Sequence, residues 1–238
     1  MRADRRRLEE LVKLLNSMLP KDVIIFKGGL FLGEYTGVFR GTQDIDMSIV
    51  DKSLYSLIVP VLQLYGEMLE AEGAIASIEI SEEVQDHMSG GVTYRDAAGN
   101  PVLSVDVSYC NPVLDSVVLS TERFGEIRIS SLNQMLSDKV RVLYSKSRFR
   151  RVKDLYDIWQ AVDAGVADAV GVRTLLKKIG EYPLPEDKSP FEEERMKQLQ
   201  HAYEKFRLWS VDGTELDKPG FWDVIQAVGN FMIKVNEV

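Results

Sequence analysis

Two aspartates in one alternating run have the spacing of a metal-ion site. Asp44 and Asp46 lie in the run DIDMSIV, where apolar residues occupy the positions between them. In a β-strand the two carboxylates would lie on one face, with Cα atoms about 6–7 Å apart. Like charges at that distance repel unless a cation lies between them, and Mg²⁺ is bound by one or two carboxylates together with substrate phosphates. The alternative is a pair of solvated acids at a sheet edge.

A third carboxylate belongs to a second alternating run, VLSVDVSY, in which Asp106 lies on the polar face. Aspartate is unfavourable inside a strand, so a functional role would explain its presence there. If the two strands are neighbours, three carboxylates could hold two metal ions ~3.5–4 Å apart, an arrangement that serves in-line phosphoryl displacement. The alternative is an exposed acid on a hairpin.

A pair of glycines follows the apolar run VIIFK. Gly28 and Gly29 would let backbone N–H groups approach a ligand closely, and the N-terminus of a following helix favours an anion. The alternative is an ordinary turn. The sequence is neither a Walker A loop, because no G-K-[ST] follows, nor a G-x-G-x-x-G dinucleotide motif.

A lysine lies on the apolar stripe of a predicted helix in the second half of the chain. Lys139 follows Leu132, Met135 and Leu136 at helical spacing. Such a lysine either extends to the surface or reaches a specific anion. Asp154 and Asp157 flank the apolar stripe of the next predicted helix, where the alternative is a local ion pair such as Lys153 with Asp157.

These residues need a sheet followed by helices. Periodicity and turn residues predict helices over 8–19, 30–35 and 52–72, and a capping box at Ser131–Gln134 predicts the start of a further helix. Strands are predicted over 23–26, 44–50, 74–80, 91–95, 102–109 and 127–129. The sequence therefore predicts an α/β or α+β part, residues 1–130, and a helical part, residues 131–238.

The composition limits the class of protein. The chain has 238 residues, of which 45% are hydrophobic and 28% charged, which excludes a disordered, collagen-like or coiled-coil protein. One cysteine excludes an intramolecular disulfide, and with two histidines it argues against a structural zinc site. No apolar stretch approaches the ~20 residues of a membrane span, so we expect a soluble, cytoplasmic protein without a membrane partner.

The charge is unevenly distributed. The net charge of −8 argues against nucleic acid, but the segment 139–153 contains seven basic residues and no acid. Removing those seven charges leaves −15 for the rest of the chain. An acidic protein with one basic segment can still bind a phosphate-rich ligand locally. The alternative is a solvated connection between helices.

Taken in order, these motifs resemble the AbiEii/AbiGii-type nucleotidyltransferases, the toxin-like branch of the polymerase-β-like nucleotidyltransferase superfamily. The motifs are FKGGLFL, RGTQDID, the strand with Asp106, SDKVRVL and RVKDLYDI. They cover about residues 23–162, and residues 165–238 match nothing in the family. The superfamily often has Gly-Ser where this chain has Gly28-Gly29, so a hydroxyl that could contact phosphate is missing. Gly-Gly is nevertheless common in this branch, which favours a variant over an inactivated site.

The resemblance implies an α+β fold, with a nucleotidyltransferase-like small mixed sheet and flanking helices followed by a helical C-terminal domain. It implies transfer of a nucleoside monophosphate from an NTP, with Mg²⁺ or Mn²⁺ bound by Asp44, Asp46 and Asp106. The nucleotide-binding residues would be Lys27, Gly28, Gly29, Arg40, Thr42 and Lys139. Asp154 would match the later catalytic acid. Some members modify tRNA acceptor ends, and some pair with an antitoxin.

The residue chemistry agrees with this resemblance, because nucleotidyl transfer needs positioning and charge neutralisation more than covalent chemistry. Lys139 would stabilise charge on the triphosphate. Asp154 would either orient Lys139 or act as a base. Arg148, Arg150 and Arg151 would bind an acceptor such as RNA, with protein a less favoured acceptor.

Other functions are less well supported. A non-catalytic relative that binds a nucleotide or a partner remains the main alternative. In haloacid-dehalogenase-like phosphatases the D-x-D ends a hydrophobic strand, whereas Asp44 and Asp46 begin one. A Ser-His-Asp hydrolase lacks support because the sequence has no G-x-S-x-G motif.

Overall fold

The computed structural model describes residues 5–42, 44–84, 89–109, 113–144, 151–185, 189–210 and 213–237. The chain forms two compact units. The first contains Met1–Phe31, Gly41–Ser130 and Val211–Gly213. The second contains Leu32–Arg40, Ser131–Ser210 and Thr214–Val238. The division into a 1–130 domain and a 131–238 domain stays a prediction.

The first unit is built on a mixed seven-stranded sheet. Its strands are β1 (Ile24–Lys27), β2 (Asp44–Ile49), β3 (Ser77–Val84), β4 (Ser89–Arg95), β5 (Pro101–Ser108), β6 (Ser116–Thr121) and β7 (Gly125–Ser130). Their order is β3-β4-β5-β2-β1-β7-β6. The β2–β5 and β1–β7 pairs are parallel and the other pairs antiparallel. This mixed sheet, with the helices described next, confirms the predicted α+β class.

Helices α1 (Arg5–Met18) and α3 (Tyr55–Ala71) belong to the same unit, and a short 3-10 turn (Lys52–Leu54) precedes α3. Helix α1 buries Leu8, Leu11, Val12 and Leu15, which confirms the predicted periodicity. In β2, Ile45 and Met47 are fully buried while the aspartates between them are half-buried. The alternation therefore gives β2 one core face and one polar face, as the sequence predicts.

Strand β6 was not predicted. It is the edge strand beside β7, and most of its side chains are partly or fully exposed, Val118 by 61%. Because neither face is buried, its sequence SVVLST shows no strict alternation between apolar and polar residues. The predicted strand over 74–80 is present but is displaced, since β3 begins at Ser77.

The second unit is helical. Helix α2 (Gly29–Thr36) enters it from the first unit, and α4 to α8 follow: Leu132–Leu143, Val152–Asp163, Ala169–Lys178, Glu193–Lys205 and Phe221–Asn236. Ser131 caps α4 by accepting a hydrogen bond from the Gln134 backbone N–H at 3.1 Å, which confirms the predicted start of a helix at this motif. Leucines and valines of α4, α5, α6 and α8 form one apolar core. In the part of the chain that the structure describes, no helix combines the length and apolar character needed to span a membrane.

Candidate functional site

The parallel pairing of β2 with β5 brings the three predicted acids together. Asp46 is opposite Asp106, and Asp44 is opposite Ser104. Residues opposite each other in a sheet point to the same face, and so do residues two apart on one strand. Asp44, Asp46 and Asp106 therefore share one face of the sheet, as the sequence predicts.

Polar side chains from neighbouring positions surround these carboxylates. The Ser104 hydroxyl donates to Asp44 Oδ1 at 2.5 Å. Lys27, which is opposite Asp46 on β1, donates from Nζ to the Ser108 hydroxyl at 3.0 Å. Lys27, Asp46 and Asp106 thus form one row across three adjacent strands, with a cation at one end.

The charges on this face oppose one another. Although Asp106 is exposed to solvent, partial desolvation by its surroundings raises the pKa of its carboxyl, and the charge of Asp44 raises that pKa further. The ammonium of Lys27 lowers it and only partly offsets these effects. The face therefore carries repulsion between carboxylates that an additional cation would relieve.

Gly28 lies against the Asp46 carboxylate. Its φ is +83°, a conformation that favours glycine, and a Cβ at this position would overlap the carboxylate of Asp46. The backbone of the predicted phosphate-binding glycines thus approaches the acidic face closely, and α2 begins at Gly29. Thr42 accepts a hydrogen bond through Oγ1 from the Asp44 backbone N–H at 3.3 Å, and so helps to start β2. The phosphate-binding roles of these residues stay predictions.

The metal prediction rests on donor chemistry. Within the described residues, no three acidic, histidine or cysteine side chains are placed so that together they could hold a metal ion. The face nevertheless supplies three carboxylates, which are the hard oxygen donors that Mg²⁺ and Mn²⁺ prefer. Their mutual repulsion, and the close approach to Asp46 that only a glycine at position 28 permits, fit a small cation. Binding of a metal here stays a prediction.

A second cluster of charged residues lies within the helical unit, around Asp157 of α5. The side chain of Asp157 is fully buried. Arg40 donates from Nε to its Oδ1 at 2.5 Å and from Nη2 to its Oδ2 at 2.7 Å. Lys139 of α4 donates from Nζ to Oδ2 of Asp157 at 2.6 Å and to Oδ1 of Asp154 at 3.2 Å. One buried carboxylate thus binds two cations.

The ionisation of this cluster follows from its pairing. Burial opposes ionisation of Asp157, but Arg40 and Lys139 outweigh it and hold the pKa of that carboxyl at about 2. Burial also favours the neutral amine of Lys139, yet Asp157 and Asp154 together raise the pKa of Lys139. Arg151 is 3.5 Å from Asp154 through Nη1. Asp157 is therefore shared by Arg40 and Lys139, and Asp154 by Lys139 and Arg151.

Comparison with known proteins identifies the family. Residues 12–227 match the family model described as nucleotidyl transferase AbiEii toxin, type IV toxin–antitoxin system. The chain belongs to the AbiEii family. It is therefore a toxin nucleotidyltransferase, as the motifs predicted.

Solved structures support the fold of this AbiEii chain. MenT4, the nucleotidyltransferase toxin Rv2826c of Mycobacterium tuberculosis H37Rv, is similar with a TM-score of 0.61 and 17% identity, over 98% of this chain and 83% of MenT4. An H. pylori protein described as a candidate nucleotidyltransferase is similar with a TM-score of 0.54 and 16% identity, over 98% of this chain and 93% of its own. Among curated proteins, no sequence is significantly similar to the chain.

The structure of the AbiEii chain pairs Asp157 with residues that the sequence analysis did not identify as its partners. Its carboxylate pairs with Arg40 and Lys139, and not with Lys153 as the local alternative would have it. The available signal was the position of Asp157 beside an apolar helix stripe, but its partner Arg40 is 117 residues away in the chain. Of the predicted acceptor-binding residues, Arg148 and Arg150 lie outside the described residues.

Proposed function

We propose that this AbiEii protein uses Mg²⁺ or Mn²⁺ to transfer a nucleoside monophosphate from an NTP to a hydroxyl of an RNA acceptor, such as a tRNA. In this reaction the acceptor oxygen bonds to the α-phosphorus, the α–β phosphoanhydride bond breaks, pyrophosphate leaves and the hydroxyl proton is released. The observation that carries the proposal is the register of β2 and β5, with Asp46 opposite Asp106 and Asp44 on the same face.

Asp44, Asp46 and Asp106 would hold the metal ions. When bound, a divalent ion neutralises charge on the phosphates and makes an acceptor hydroxyl more acidic. Lys27 adds a positive charge to the same face through its position beside Ser108. The glycine at position 28 leaves the backbone free to approach the phosphates, and the N–H groups at the start of α2 favour an anion.

Lys139 would contact the triphosphate, and Asp154 would orient Lys139. An ammonium has three N–H donors, and Lys139 uses two of them in hydrogen bonds to Asp157 and Asp154. The third donor is left for a phosphate oxygen. The 3.2 Å pairing of Asp154 with Lys139 supports an orienting role better than that of a general base.

The acceptor would be read through its hydroxyls and its phosphates. A depression of about 310 Å³ adjoins Asp106 and is lined mostly by small polar residues and glycines, among them Ser81, Ser89, Thr93 and Ser108. Such a lining suits a ribose rather than an apolar group. The basic residues Arg148, Arg150 and Arg151 would bind the RNA backbone. The family description, which names a toxin–antitoxin system, supports a cognate antitoxin as the partner, and we propose that the toxin acts in the cytoplasm.

The test is transfer of label from each α-labelled NTP to total RNA in the presence of Mg²⁺. We expect transfer by the wild type, loss in Asp44→Ala, and full activity in Asp96→Ala, which removes an exposed carboxylate from the β4–β5 turn. Label transfer that persists in Asp44→Ala would contradict the proposed metal-binding role of the acidic face. NTP binding without release of pyrophosphate, with every RNA tried, would favour the non-catalytic alternative.

A further inference from the structure

Asp157 is the most buried charged residue among those described, and the proposed metal chemistry gives it no task. We propose that Asp157 is a positioning residue that holds the Lys139 ammonium where it contacts phosphate. Arg40 pairs with Asp157 and holds it in place, instead of binding the nucleotide. The inference rests on the role of Lys139 in the proposed function. It reassigns Arg40, for which the family resemblance implies a nucleotide contact.

The geometry around Asp157 leaves little freedom. Arg40 engages both carboxylate oxygens in a two-pronged contact, with distances of 2.5 and 2.7 Å. A planar guanidinium paired in this way fixes the plane of the carboxylate as well as its position. Lys139 then binds Oδ2, whose remaining lone pair has a defined direction. The Arg40 contact therefore determines where the ammonium lies.

The burial and pairing of Arg40 make a direct contact with a nucleotide unfavourable. Arg40 is only 6% exposed, and its Nε and Nη2 groups are both used on Asp157. The segment leading to it is also held by α5, because Gln160 donates to the Thr36 hydroxyl at 2.5 Å and to the Val38 carbonyl at 2.6 Å. A nucleotide contact that turned Nε or Nη2 away from Asp157 would break a buried charge pair, which is costly.

Lys139 is nearly as buried as Arg40, with side-chain exposures of 10% and 7%. The contacts of Lys139 with Asp157 and Asp154 use two of its three N–H donors and leave the third for a phosphate oxygen. The charged groups acting on Lys139 are Asp157 and Asp154, which favour the ammonium, and Arg40, which disfavours it. Arg151 lies beside Asp154, and the Tyr156 hydroxyl is a further titratable group near Asp157. Of these, Asp157 contributes most to keeping Lys139 charged.

The first test compares wild type with Asp157→Asn, which preserves shape and removes the charge. We expect kcat to fall at least tenfold with KM for the NTP changed less than threefold, and the pKa of Lys139 to fall. Activity of the variant should then begin to decline at a lower pH than that of the wild type as the pH is raised. NMR titration of ¹³Cε-labelled lysines, with Lys139→Arg to assign the signal, measures that pKa without relying on catalysis. An unchanged Lys139 titration together with an unchanged kcat overturns the inference.

The second test asks whether Arg40 acts through Asp157. We expect Arg40→Gln to lower kcat at least tenfold in the wild type and less than twofold in the Asp157→Asn background. An equal rise in KM for the NTP in both backgrounds would mean a direct nucleotide contact and would overturn the assignment. Arg40→Lys keeps the charge and loses the two-pronged contact, so it covers the case in which Asp157→Asn fails to fold. In Arg40→Lys, a fall in kcat at constant KM supports the inference, and a rise in KM at constant kcat overturns it.

Lys139→Met separates this inference from the proposed function. If Lys139→Met keeps full activity, the proposed role of Lys139 fails and the inference fails with it. If Lys139→Met is inactive while Asp157→Asn matches the wild type in kcat, pH profile and Lys139 titration, the inference alone is wrong. If both variants lose activity and the Lys139 titration shifts in Asp157→Asn, both assignments are supported.

Discussion

Asp46 of β2 lies directly opposite Asp106 of β5 in a parallel strand pair. Strands need no acids at these positions to pair, and the repulsion between Asp44 and Asp106 works against the fold. This repulsion lowers the stability of the acidic face, and such losses of stability are common at active sites, in agreement with the proposed metal site.

Asp106→Asn should abolish activity without destabilising the metal-free protein. Because the folded state raises the pKa of Asp106, the ionised carboxylate lowers stability as pH rises above its ordinary value of 3.8. Removing the charge should leave Tm in EDTA at pH 7 equal to or above that of the wild type. Nucleotidyl transfer should fall by roughly 10² or more. Added Mg²⁺ should raise Tm in the wild type only.

Asp96→Asn is the matched control for the sign of this effect. Asp96 accepts backbone hydrogen bonds from Asn100 and Ala98, of which the Asn100 bond contributes most to lowering its pKa. Its charged form therefore stabilises the fold above pH 3.8, and that stability is lost as pH falls through the lowered pKa. We expect Asp96→Asn to lower Tm at pH 7 and to keep activity. A drop in Tm for Asp106→Asn as large as that for Asp96→Asn would contradict the repulsion argument.

Gly28→Ala should inactivate the protein through Asp46. The added methyl overlaps the Asp46 carboxylate, and the left-handed φ of +83° is strained for alanine by roughly 1–2 kcal/mol. Gly37→Ala has nearly the same strain, with φ of +74°, but nothing lies within 4 Å of its added Cβ. Urea unfolding should show a loss of stability for both variants, at least as large for Gly28→Ala because of the overlap with Asp46, and only Gly28→Ala should lose nucleotidyl transfer. Equal activity of the two would show that the Asp46 contact is unimportant.

Arg40→Met should be strongly destabilising. It leaves the fully buried Asp157 carboxylate without its two-pronged partner, and breaking a buried pair costs about 3–5 kcal/mol. Lys197→Met is the control, because Lys197 pairs with Glu193 on an exposed helix surface where such pairs contribute only ~0.3–0.5 kcal/mol. Urea denaturation at pH 7 measures both. A loss for Arg40→Met below about 1 kcal/mol would mean that the ion pair is not maintained in solution.

The acid stability of the protein should reflect Asp157. Its pKa is lowered from 3.8 to about 2, so its contribution is fully present above about pH 5 and is lost as pH falls toward 2. The shift corresponds to about 2 kcal/mol. The free energy of unfolding at pH 5.5 and at pH 2.5 should therefore differ more in the wild type than in Asp157→Asn. Identical differences would assign the acid sensitivity to other carboxylates.

Much of the acidic face could be predicted because its signal is local. The alternation of Ile45 and Met47 with Asp44 and Asp46 reflects a strand with one buried face, and a period of two is visible in six residues. The β2–β5 pairing is not local, since Asp106 is 60 residues from Asp46. It was inferred from the family resemblance and from the chemistry of carboxylates.

The Asp157 cluster could not be predicted from periodicity. Helical spacing places Lys139 on the apolar stripe of α4, but it does not identify the partners of Lys139. Arg40 comes from the segment between α2 and β2, where it forms an isolated β-bridge with Ser210. Burial of three charges is favourable only when all three meet, which is a property of tertiary structure. Strand β6 could not be predicted for another reason: it is an exposed edge strand, so no alternation of apolar and polar residues is required of it.

The passage of α2 from the first unit to the second limits how this protein can be cut or recombined. Residues 32–40 belong to the helical unit although they precede β2 in the chain. A fragment ending at residue 130 would carry Arg40 without Asp157, and the complementary fragment would carry Asp157 and Lys139 without Arg40. We therefore expect that an exchange of one half between related proteins succeeds only when the arginine and the aspartate are kept as a matching pair.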